Sequence, residues 1–480
     1  MGITKFEVTD VPADLKDVYT GIPTSREQTE EDKKRFGNSY WIPRHMLIKC
    51  MLEEVKDDAN IEVMFNARCG DINALSADEE HGPVTGEREG FQVDILRENG
   101  DGSAHDIITR NANLVVGADG LRSTVREQLY NNPARFANWS NYDQKNFFLR
   151  TYHSPSSGLR IKTLQIESNF TIPIGGVDDD NTTNRSTSTK SVSSNSYRLQ
   201  SVNRGSTNQV AISLIPVKDS NALRSAAICT LPNHDIWKIQ TGSEMKTFFS
   251  NAFPRFNFGL GGDDSLVAEG EWEEFAKAQG TVFPPCQYTR GAVAYDERRD
   301  AGIVLVGDAL HAFPPDLGQG VNAALRDVAV LDESLRTESG RNDSGDDGND
   351  STDGVKQHPS TSNPYFKLGL ALDKFQTRQG GGETKALIKL ARFGAPFQYG
   401  QSSRSMIFRK YLWTFNIVVR VLLNKVIGTP KPAVIAMMDP SLKFQTIMRR
   451  SDRLTAALWS ITAVVVGLLV KGLRMRFVVG

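Results

Sequence analysis

Two short apolar segments, each running directly into a glycine turn, constrain the fold of this chain more than any other feature. Asn113 to Gly117 reads Asn-Leu-Val-Val-Gly before Ala-Asp-Gly, and Gly302 to Gly307 reads Gly-Ile-Val-Leu-Val-Gly before Asp-Ala. Short uninterrupted apolar runs are typical of strands that are buried on both faces of a sheet. A glycine turn at the carboxyl end of such a strand is where α/β sheets bind nucleotides. The pattern therefore predicts an α/β nucleotide-binding sheet assembled from segments about 185 residues apart.

The first turn continues as Gly-Ala-Asp-Gly-Leu-Arg-Ser-Thr from Gly117 to Thr124. Ser123 is expected to cap a helix that starts here, and the positive N-terminus of a helix attracts a pyrophosphate. The alternative is an ordinary strand-turn-helix with a serine cap and no ligand. The candidate cofactor contacts in this string are Asp119, Gly120 and Arg122.

The second turn belongs to a longer string, Gly307 to Asn322, which reads Gly-Asp-Ala-Leu-His-Ala-Phe-Pro-Pro-Asp-Leu-Gly-Gln-Gly-Val-Asn. A carboxylate at the strand end can accept hydrogen bonds from ribose hydroxyls. Prolines stiffen the turn, and glycines let the backbone approach a flat ring. The alternative is a Pro/Gly-rich loop before a core helix. The candidate cofactor contacts here are Asp308, Pro315, Gly318, Gly320, Val321 and Asn322.

Together the two strings resemble those of the flavoprotein aromatic hydroxylases, the group A FAD-dependent monooxygenases. The resemblance implies a Rossmann-like FAD-binding domain, a β-sheet substrate domain and a helical C-terminal tail. It also implies FAD and NAD(P)H as cofactors and dioxygen as a co-substrate. The implied reaction is hydroxylation of an aromatic small molecule through a flavin hydroperoxide. The cofactor carries that chemistry, while the protein positions the substrate and excludes water.

Within this family the chain is similar to the kynurenine 3-monooxygenases from about Trp41 to Leu335 and in the tail. The segment Pro-Arg-His-Met-Leu-Ile-Lys around Arg44 resembles their Ser-Arg-Glu-Asn-Leu-Asn-Lys, whose arginine holds a substrate carboxylate. Arg44 is therefore the candidate catalytic residue and a further candidate flavin contact, although an arginine at a helix start is commonly a solvated surface residue. The chain departs from the kynurenine enzymes at Pro-Asp-Leu before Gly318 and at Asp58, where they have Pro-Phe-Phe and a tyrosine.

His311 follows the second turn closely, and it allows two roles. It could relay protons beside a flavin, or it could be a structural hydrogen-bonding residue. The second role is favoured, because the oxygen-transfer step requires no base.

The family opens with a strand, a Gly-x-Gly-x-x-Gly turn that holds the pyrophosphate, and a helix. No such string occurs in this sequence. The resemblance therefore implies an FAD-binding domain that is incomplete at its N-terminus, without its first strand and its main phosphate cradle. Two alternatives are open: the sequence is an incomplete gene model, or the protein is a true short form. In the second case FAD affinity is expected to be badly impaired.

The C-terminal segment Leu454 to Val470 contains no charged residue and is 17 residues long, at the short end of what spans a bilayer. Cations flank it on both sides, which favours a tail anchor over a buried core helix. Upstream, Tyr411 to Ile427 is apolar with two cations and could lie along a membrane interface. By resemblance, the membrane would be that of an organelle, such as the mitochondrial outer membrane. The flanking cations are Arg449, Arg450, Arg453, Lys471, Arg474 and Arg476.

Composition excludes several other classes. A net charge of −1 gives no sign of nucleic-acid binding, and four dispersed cysteines give no metal-ligand cluster or disulfide framework.

Two polar runs lack the apolar surface to fold and are expected to be disordered. The predicted order is a first FAD-binding segment (1–135), a β-rich substrate domain (136–295) with a disordered insert (178–196), a second FAD-binding segment (296–336), a second disordered insert (337–363), a helical C-terminal region (364–448) and a membrane anchor (449–480).

Two other functions remain open from the sequence. One is a flavin epoxidase acting on a lipophilic substrate, which a membrane anchor would suit. The other is a non-catalytic, flavin-free membrane protein, which the absent phosphate cradle would suit.

Overall fold

A computed structural model describes residues 8–11, 44–74, 90–97, 106–174, 187–193, 195–202, 209–217, 219–254, 256–258, 265–338, 367–393, 404–437, 439 and 441–479. The chain divides into two compact units. The first unit comprises Met1–Glu62, Pro155–Phe283 and Phe397–Val418. The second comprises Val63–Ser154, Pro284–Pro396 and Val419–Gly480.

The described strands are β1 (Val8–Val11), β2 (Ala67–Ala74), β3 (Phe91–Arg97), β4 (Asp106–Ala112), β5 (Leu114–Gly117), β6 (Arg150–Tyr152), β7 (Arg160–Ile166), β8 (Thr171–Ile174), β9 (Thr187–Lys190), β10 (Ser196–Gln200), β11 (Ala211–Leu214), β12 (Arg224–Thr230), β13 (Thr281–Val282), β14 (Cys286–Tyr288), β15 (Val293–Asp296), β16 (Ala301–Leu305) and β17 (His311–Ala312).

The described helices are α1 (Arg44–Val55), α2 (Thr124–Asn131), α3 (Pro133–Phe136), α4 (Gln144–Phe147), α5 (Gly242–Ala252), α6 (Glu269–Lys277), α7 (Gly320–Glu338), α8 (Leu368–Gln379), α9 (Gly382–Phe393), α10 (Arg404–Ile427), α11 (Ala433–Ala436) and α12 (Phe444–Val479). Short 3-10 turns lie at Asp235–Trp237, Gly307–Ala309 and Pro315–Leu317. The mixed α/β fold with a helical C-terminal region agrees with the predicted class.

The first unit is the β-rich one. Its six-stranded sheet has the order β1-β10-β11-β12-β7-β13, and every neighbouring pair is antiparallel except β1 and β10. One face is covered by α5 and α6, whose aromatic side chains meet edge to face, with the Phe249 and Trp272 ring centroids 5.0 Å apart. Lys162 on β7 is buried in the same region and donates to the Phe275 carbonyl oxygen at 2.9 Å. A buried ammonium group therefore lies beside the aromatic core of this unit.

In the described part of the second unit there are three small sheets, with strand orders β15-β16-β5, β2-β3-β4 and β17-β14-β6. All five residues of β16 are buried, as expected of a strand that is covered on both faces. The β-rich region spans Pro155–Phe283 rather than the predicted 136–295. The reason is that β6 and β14, which flank this region, pair with each other inside the second unit.

The prediction that 178–196 is a disordered insert is wrong for its described residues. Residues Thr187–Lys190 form β9, which pairs antiparallel with β8, and Ser191 is buried and accepts a hydrogen bond from the Phe170 N–H at 2.9 Å. Backbone pairing with β8 supplies the hydrogen bonds that this polar segment cannot gain from apolar burial. Residues 178–186 lie outside the described residues, as do 339–363 of the second predicted insert; α7 continues to Glu338.

The apolar segment Ile61 to Phe65 reads in the sequence as a strand, and this prediction is wrong. These residues are irregular and the side chains of Ile61, Val63 and Phe65 are exposed, whereas the strand begins at Ala67. Asn66 lies between them with a φ of 54°, a left-handed conformation that ends any regular extended run. Helical spacing in the sequence also predicts a helix over Pro43 to Val55, and alternation of apolar and polar residues predicts a strand over Phe91 to Leu96. These two predictions and the strands at Asn113 and Gly302 are confirmed to within two residues.

Candidate functional site

The two glycine turns lie side by side in the second unit, because β5 and β16 are parallel neighbours. Leu114 pairs with Gly302, and Gly117 pairs with Leu305. Val306 donates its N–H to the Gly117 carbonyl oxygen at 3.1 Å, just before each of the two segments turns. A Cβ atom at Gly117 would lie 2.8 Å from the Leu305 side chain and 3.0 Å from Val125, so only glycine fits this position. The two strings that carry the predicted chemistry therefore meet at one edge of the sheet.

The turn after β16 presents Asp308 to solvent. It is a 3-10 turn over Gly307–Ala309, in which Gly307 and Ala309 are buried while Asp308 is exposed. The Asp308 carboxylate thus lies at the carboxyl end of a buried strand. The buried residues on either side, Gly307 and Ala309, hold its backbone in place. An exposed acceptor in this position can bind the hydroxyl groups of a ribose.

A buried carboxylate on α7 holds the same turn. The Asp327 Oδ2 accepts the Gly307 N–H at 2.8 Å and lies 2.8 Å from the His311 Nε2. Both side chains are buried, and the His311 Nδ1 is buried with no hydrogen-bond partner among the described residues. His311 therefore has the hydrogen-bonding role that the sequence favoured. Its Nε2 must carry the hydrogen when Asp327 is ionised, because a carboxylate only accepts.

The loop between β17 and α7 leaves open space in front of the helix. Gly318 has a φ of 60°, in the left-handed region that favours glycine, and a Cβ atom at Gly318 or at Gly320 would have no atom within 4 Å. Val321 and Asn322, in the first turn of α7, are exposed, and so is Pro315. The N-terminal end of α7, with its partial positive charge, thus faces a space that a flat, electron-rich ring could enter.

The turn after β5 is closed by its own side chains. The Asp119 carboxylate accepts the N–H groups of Thr124 at 2.6 Å and Val125 at 3.2 Å, and the Ser123 Oγ accepts the Arg126 N–H at 3.0 Å. The predicted serine cap is confirmed. A pyrophosphate at this N-terminus would have to displace the Asp119 carboxylate. Asp119 and Arg122 are nevertheless exposed, and Gly120 takes a φ of 82° between them.

Arg126 is a residue whose role the sequence did not reveal. Its guanidinium is buried and donates to the Leu121 carbonyl oxygen at 2.9 Å and to the Ala309 carbonyl oxygen at 2.8 Å. It therefore joins the two turns, which are 183 residues apart in sequence at this bond. Burial lowers the pKa of the guanidinium, but two carbonyl acceptors compensate for some of its desolvation. The one signal in the sequence is that Arg126 lies next to Val125 and three residues before Leu129, on the side of α2 that is buried.

A cleft of about 450 Å³ lies beside α2, on the β2-β3-β4 sheet. Cys69 lies in this cleft, where burial and the nearby charges of Asp119, Asp71 and Asp94 raise the pKa of its thiol to about 11. The thiol is therefore protonated near neutral pH and is a poor nucleophile.

Within the described residues, no group of three or more His, Cys, Asp or Glu side chains could hold a metal ion.

Arg44 is exposed at the start of α1, in the first unit. No hydrogen bond or ion pair that would fix its guanidinium is seen among the described residues. Its proposed role in the site therefore depends on the resemblance alone.

Residues 287–341 match the FAD binding domain family. The matched stretch contains β17, the Gly307–Ala309 turn, His311, the proline-glycine loop and α7, so it coincides with the second of the two motif strings. No curated protein sequence matches the chain closely enough to count as a relative.

Solved structures with a similar fold give low scores. PqsL from Pseudomonas aeruginosa in complex with 2-aminobenzoylacetate has 15% identity and a TM-score of 0.41, over 84% of this chain and 81% of that one. HpxO from Klebsiella pneumoniae in complex with FAD and uric acid has 14% identity and a TM-score of 0.45, over 93% and 81%. Aklavinone-11 hydroxylase with FAD and aklavinone has 15% identity and a TM-score of 0.41, over 70% and 49%. A functional assignment therefore rests on the family match and on the site itself.

Proposed function

We propose that the protein is an FAD-dependent monooxygenase that uses NAD(P)H and dioxygen to hydroxylate an aromatic small molecule. The observation that carries the proposal is the coincidence of the FAD binding domain match at 287–341 with the open space in front of α7. That match covers the residues that present Asp308 and the helix N-terminus.

The residues present fit a portion of an FAD site. Asp308 would accept hydrogen bonds from the ribose, and the exposed start of α7 would face the flavin ring without steric hindrance from Gly318 or Gly320. Pro315, Val321 and Asn322 would line the same space. From the other turn, Gly120 and Arg122 would face the pyrophosphate and NAD(P)H, and Asp119 would do so after releasing the N–H groups of Thr124 and Val125.

When bound, FAD would supply electron transfer from NAD(P)H to dioxygen and delivery of one oxygen atom to the substrate. The chain's own contribution would be positioning. The positive end of α7 would favour negative charge on the ring, and Asp327 would hold the Gly307 turn rigid behind Asp308. Arg44 is proposed to bind a carboxylate of the substrate or the flavin itself. A kynurenine-like amino acid is the proposed type of substrate.

The experiment is to purify the full-length chain in detergent, identify any bound flavin, and measure NADH and NADPH oxidation with and without kynurenine. FAD release on denaturation together with substrate-stimulated oxidation and a hydroxylated product would support the proposal. A protein that binds no FAD even when excess FAD is added, and that then oxidises neither nicotinamide, would contradict the proposal and favour a non-catalytic membrane protein.

A second candidate is a flavin epoxidase of a lipophilic substrate. It is favoured by α12, in which Phe444–Leu468 is long and apolar enough to cross a membrane. Phe444, Ile447 and Met448 at its start are buried, whereas the apolar residues Ile461, Val464 and Leu468 are exposed. We propose α12 as a membrane anchor, which would give the enzyme access to lipophilic molecules. Product formation from a lipophilic alkene, and none from kynurenine, would favour this second candidate.

A further inference from the structure

Helix α10 carries a continuous apolar stripe that nothing covers within the described residues. Its members recur every three or four positions, so they lie on one face of the helix. Each is 49–78% exposed. The stripe consists of Phe408, Tyr411, Leu412, Phe415, Val418, Leu422 and Val426.

The opposite side of α10 is the side that faces protein. Arg420 is buried and donates to the Ser451 Oγ at 3.2 Å and to the Thr455 Oγ1 at 2.6 Å. At about 100° per residue, Leu422 lies about 200° around the helix from Arg420. The stripe near Leu422 and Val426 therefore points away from α12.

Arg420 also fixes the height of α10 relative to the apolar portion of α12. Ser451 and Thr455 lie one turn apart where the uncharged stretch Leu454 to Val470 begins. If that stretch enters a bilayer, Arg420 lies at the level of the lipid headgroups. The C-terminal end of α10 would then lie at the membrane surface.

The charge of α10 is of one sign. The helix contains five cations and no Asp or Glu, and the start of α12 adds Arg449, Arg450 and Arg453. An apolar, aromatic-rich stripe flanked by cations is suited to an anionic lipid surface, where long basic side chains reach the headgroups. Pairing of two copies through this face would instead bring like charges together. The cations of α10 are Arg404, Arg409, Lys410, Arg420 and Lys425.

We propose that α10 docks its apolar stripe on the surface of an anionic lipid bilayer, with Arg420 coupling it to α12. The proposal does not depend on the redox chemistry. It rests on the proposed anchor only for the level at which α10 meets the bilayer.

The test uses the full-length protein reconstituted into phosphatidylcholine vesicles with or without phosphatidylserine. A hydrophobic photoactivatable carbene probe is dissolved in the bilayer, and labelled peptides are mapped by mass spectrometry. We expect labelling of both α12 and the α10 stripe, and several-fold stronger α10 labelling with phosphatidylserine. Phe415→Glu should strongly reduce the α10 labelling, whereas Thr414→Glu, an adjacent exposed position off the stripe, should leave most of it.

The possible outcomes separate the two proposals. Labelling of α12 without α10 would overturn the docking of α10 and keep the anchor. Labelling of neither helix would count against both. Absence of α10 labelling together with cross-linking of α10 to α10 between two chains would overturn the lipid proposal in favour of a dimer. A similar loss in Phe415→Glu and Thr414→Glu would show that the stripe is not the contact surface.

Discussion

The Nε2 of His311 lies 2.8 Å from the Oδ2 of Asp327, and both side chains are buried next to the turn that presents Asp308. The same carboxylate oxygen accepts the Gly307 N–H. One carboxylate thus connects helix α7 to the backbone of the turn and to the strand that follows it. The geometry of the proposed cofactor contact therefore depends on a residue that is itself buried.

We expect Asp327→Ala to destabilise the protein and to lower its FAD content. Removing the carboxylate leaves a buried backbone N–H and a buried imidazole without their acceptor, which costs about 1–3 kcal/mol for each unsatisfied group. Urea unfolding and the flavin-to-protein absorbance ratio measure the two effects. Asp332→Ala, an exposed change on the same helix, is the control and should alter stability by less than about 0.5 kcal/mol. Equal behaviour of the two variants would contradict the role of Asp327.

Asp308→Ala should lower FAD content while leaving stability nearly unchanged. The side chain is exposed, so its removal opens no cavity and should change stability little, while the proposed ribose acceptor is lost. The flavin-to-protein absorbance ratio after purification is the measurement, with urea unfolding as the check on the fold. An unchanged ratio would remove Asp308 from the cofactor site.

Arg126 and Arg122 form a matched pair for separating structure from binding. Arg126→Gln should lower the free energy of unfolding, because the carbonyls of Leu121 and Ala309 lose a shared donor. Arg122→Gln should leave it unchanged, because Arg122 is exposed, but it should raise the concentration of NAD(P)H needed for half-maximal oxidation. Urea unfolding and steady-state oxidation rates are the measurements. The assignments would have to be exchanged if Arg122→Gln proved the more destabilising change.

Lys162 should make stability rise with pH. Burial, assisted by the charge of Arg160, lowers the pKa of its ammonium from 10.5 to about 8 in the folded protein. Between about pH 8 and 10.5 the unfolded chain keeps a proton that the folded chain has lost. The free energy of unfolding should therefore increase with pH in this window, by at most about 1.4 kcal/mol per pH unit.

The check is to compare wild type with Lys162→Met in urea at several pH values within that window. The variant should lack this increase, whereas Lys238→Met, which removes an exposed lysine paired with Asp235, should keep it. Parallel pH profiles for wild type and Lys162→Met would show that Lys162 does not titrate in this range.

Covering the exposed apolar residues of β5 and α7 should increase FAD binding. Among the described residues β5 pairs only with β16, and Val116 together with Val321, Leu325 and Val328 on α7 is exposed. A parallel strand normally has neighbours that bury its apolar residues. We expect a version extended upstream by a strand, a Gly-x-Gly-x-x-Gly turn and a helix to hold more FAD per protein.

An extension with its three glycines changed to alanine is the control for this experiment, because it covers the strand without providing the phosphate cradle. Stoichiometric FAD in the unextended chain would show that the cradle is supplied by residues of this sequence.

The sequence predicted the features of the site that depend on local rules. Strands β5 and β16, the Ser123 cap and the turn at Asp308 follow from apolar runs, a capping residue and glycine positions, all of which are readable in a short window. Arg126 and Asp327 did not stand out, because their partners lie far along the chain or in the backbone. Strand β9 was missed for a related reason, since Thr187 to Lys190 is polar and becomes a strand only by pairing with β8.

The pairing of Leu114 with Gly302 also has a consequence for synthesis of the protein. At about 5–20 residues per second, the partner of β5 leaves the ribosome roughly 10–40 s after β5 itself. During that interval the nascent chain presents a short apolar strand with no β16 beside it, while β2, β3 and β4 can already pair locally. We expect chaperones to bind the growing chain near Leu114 to Gly117, and the two glycine turns to come together only after α7 has emerged.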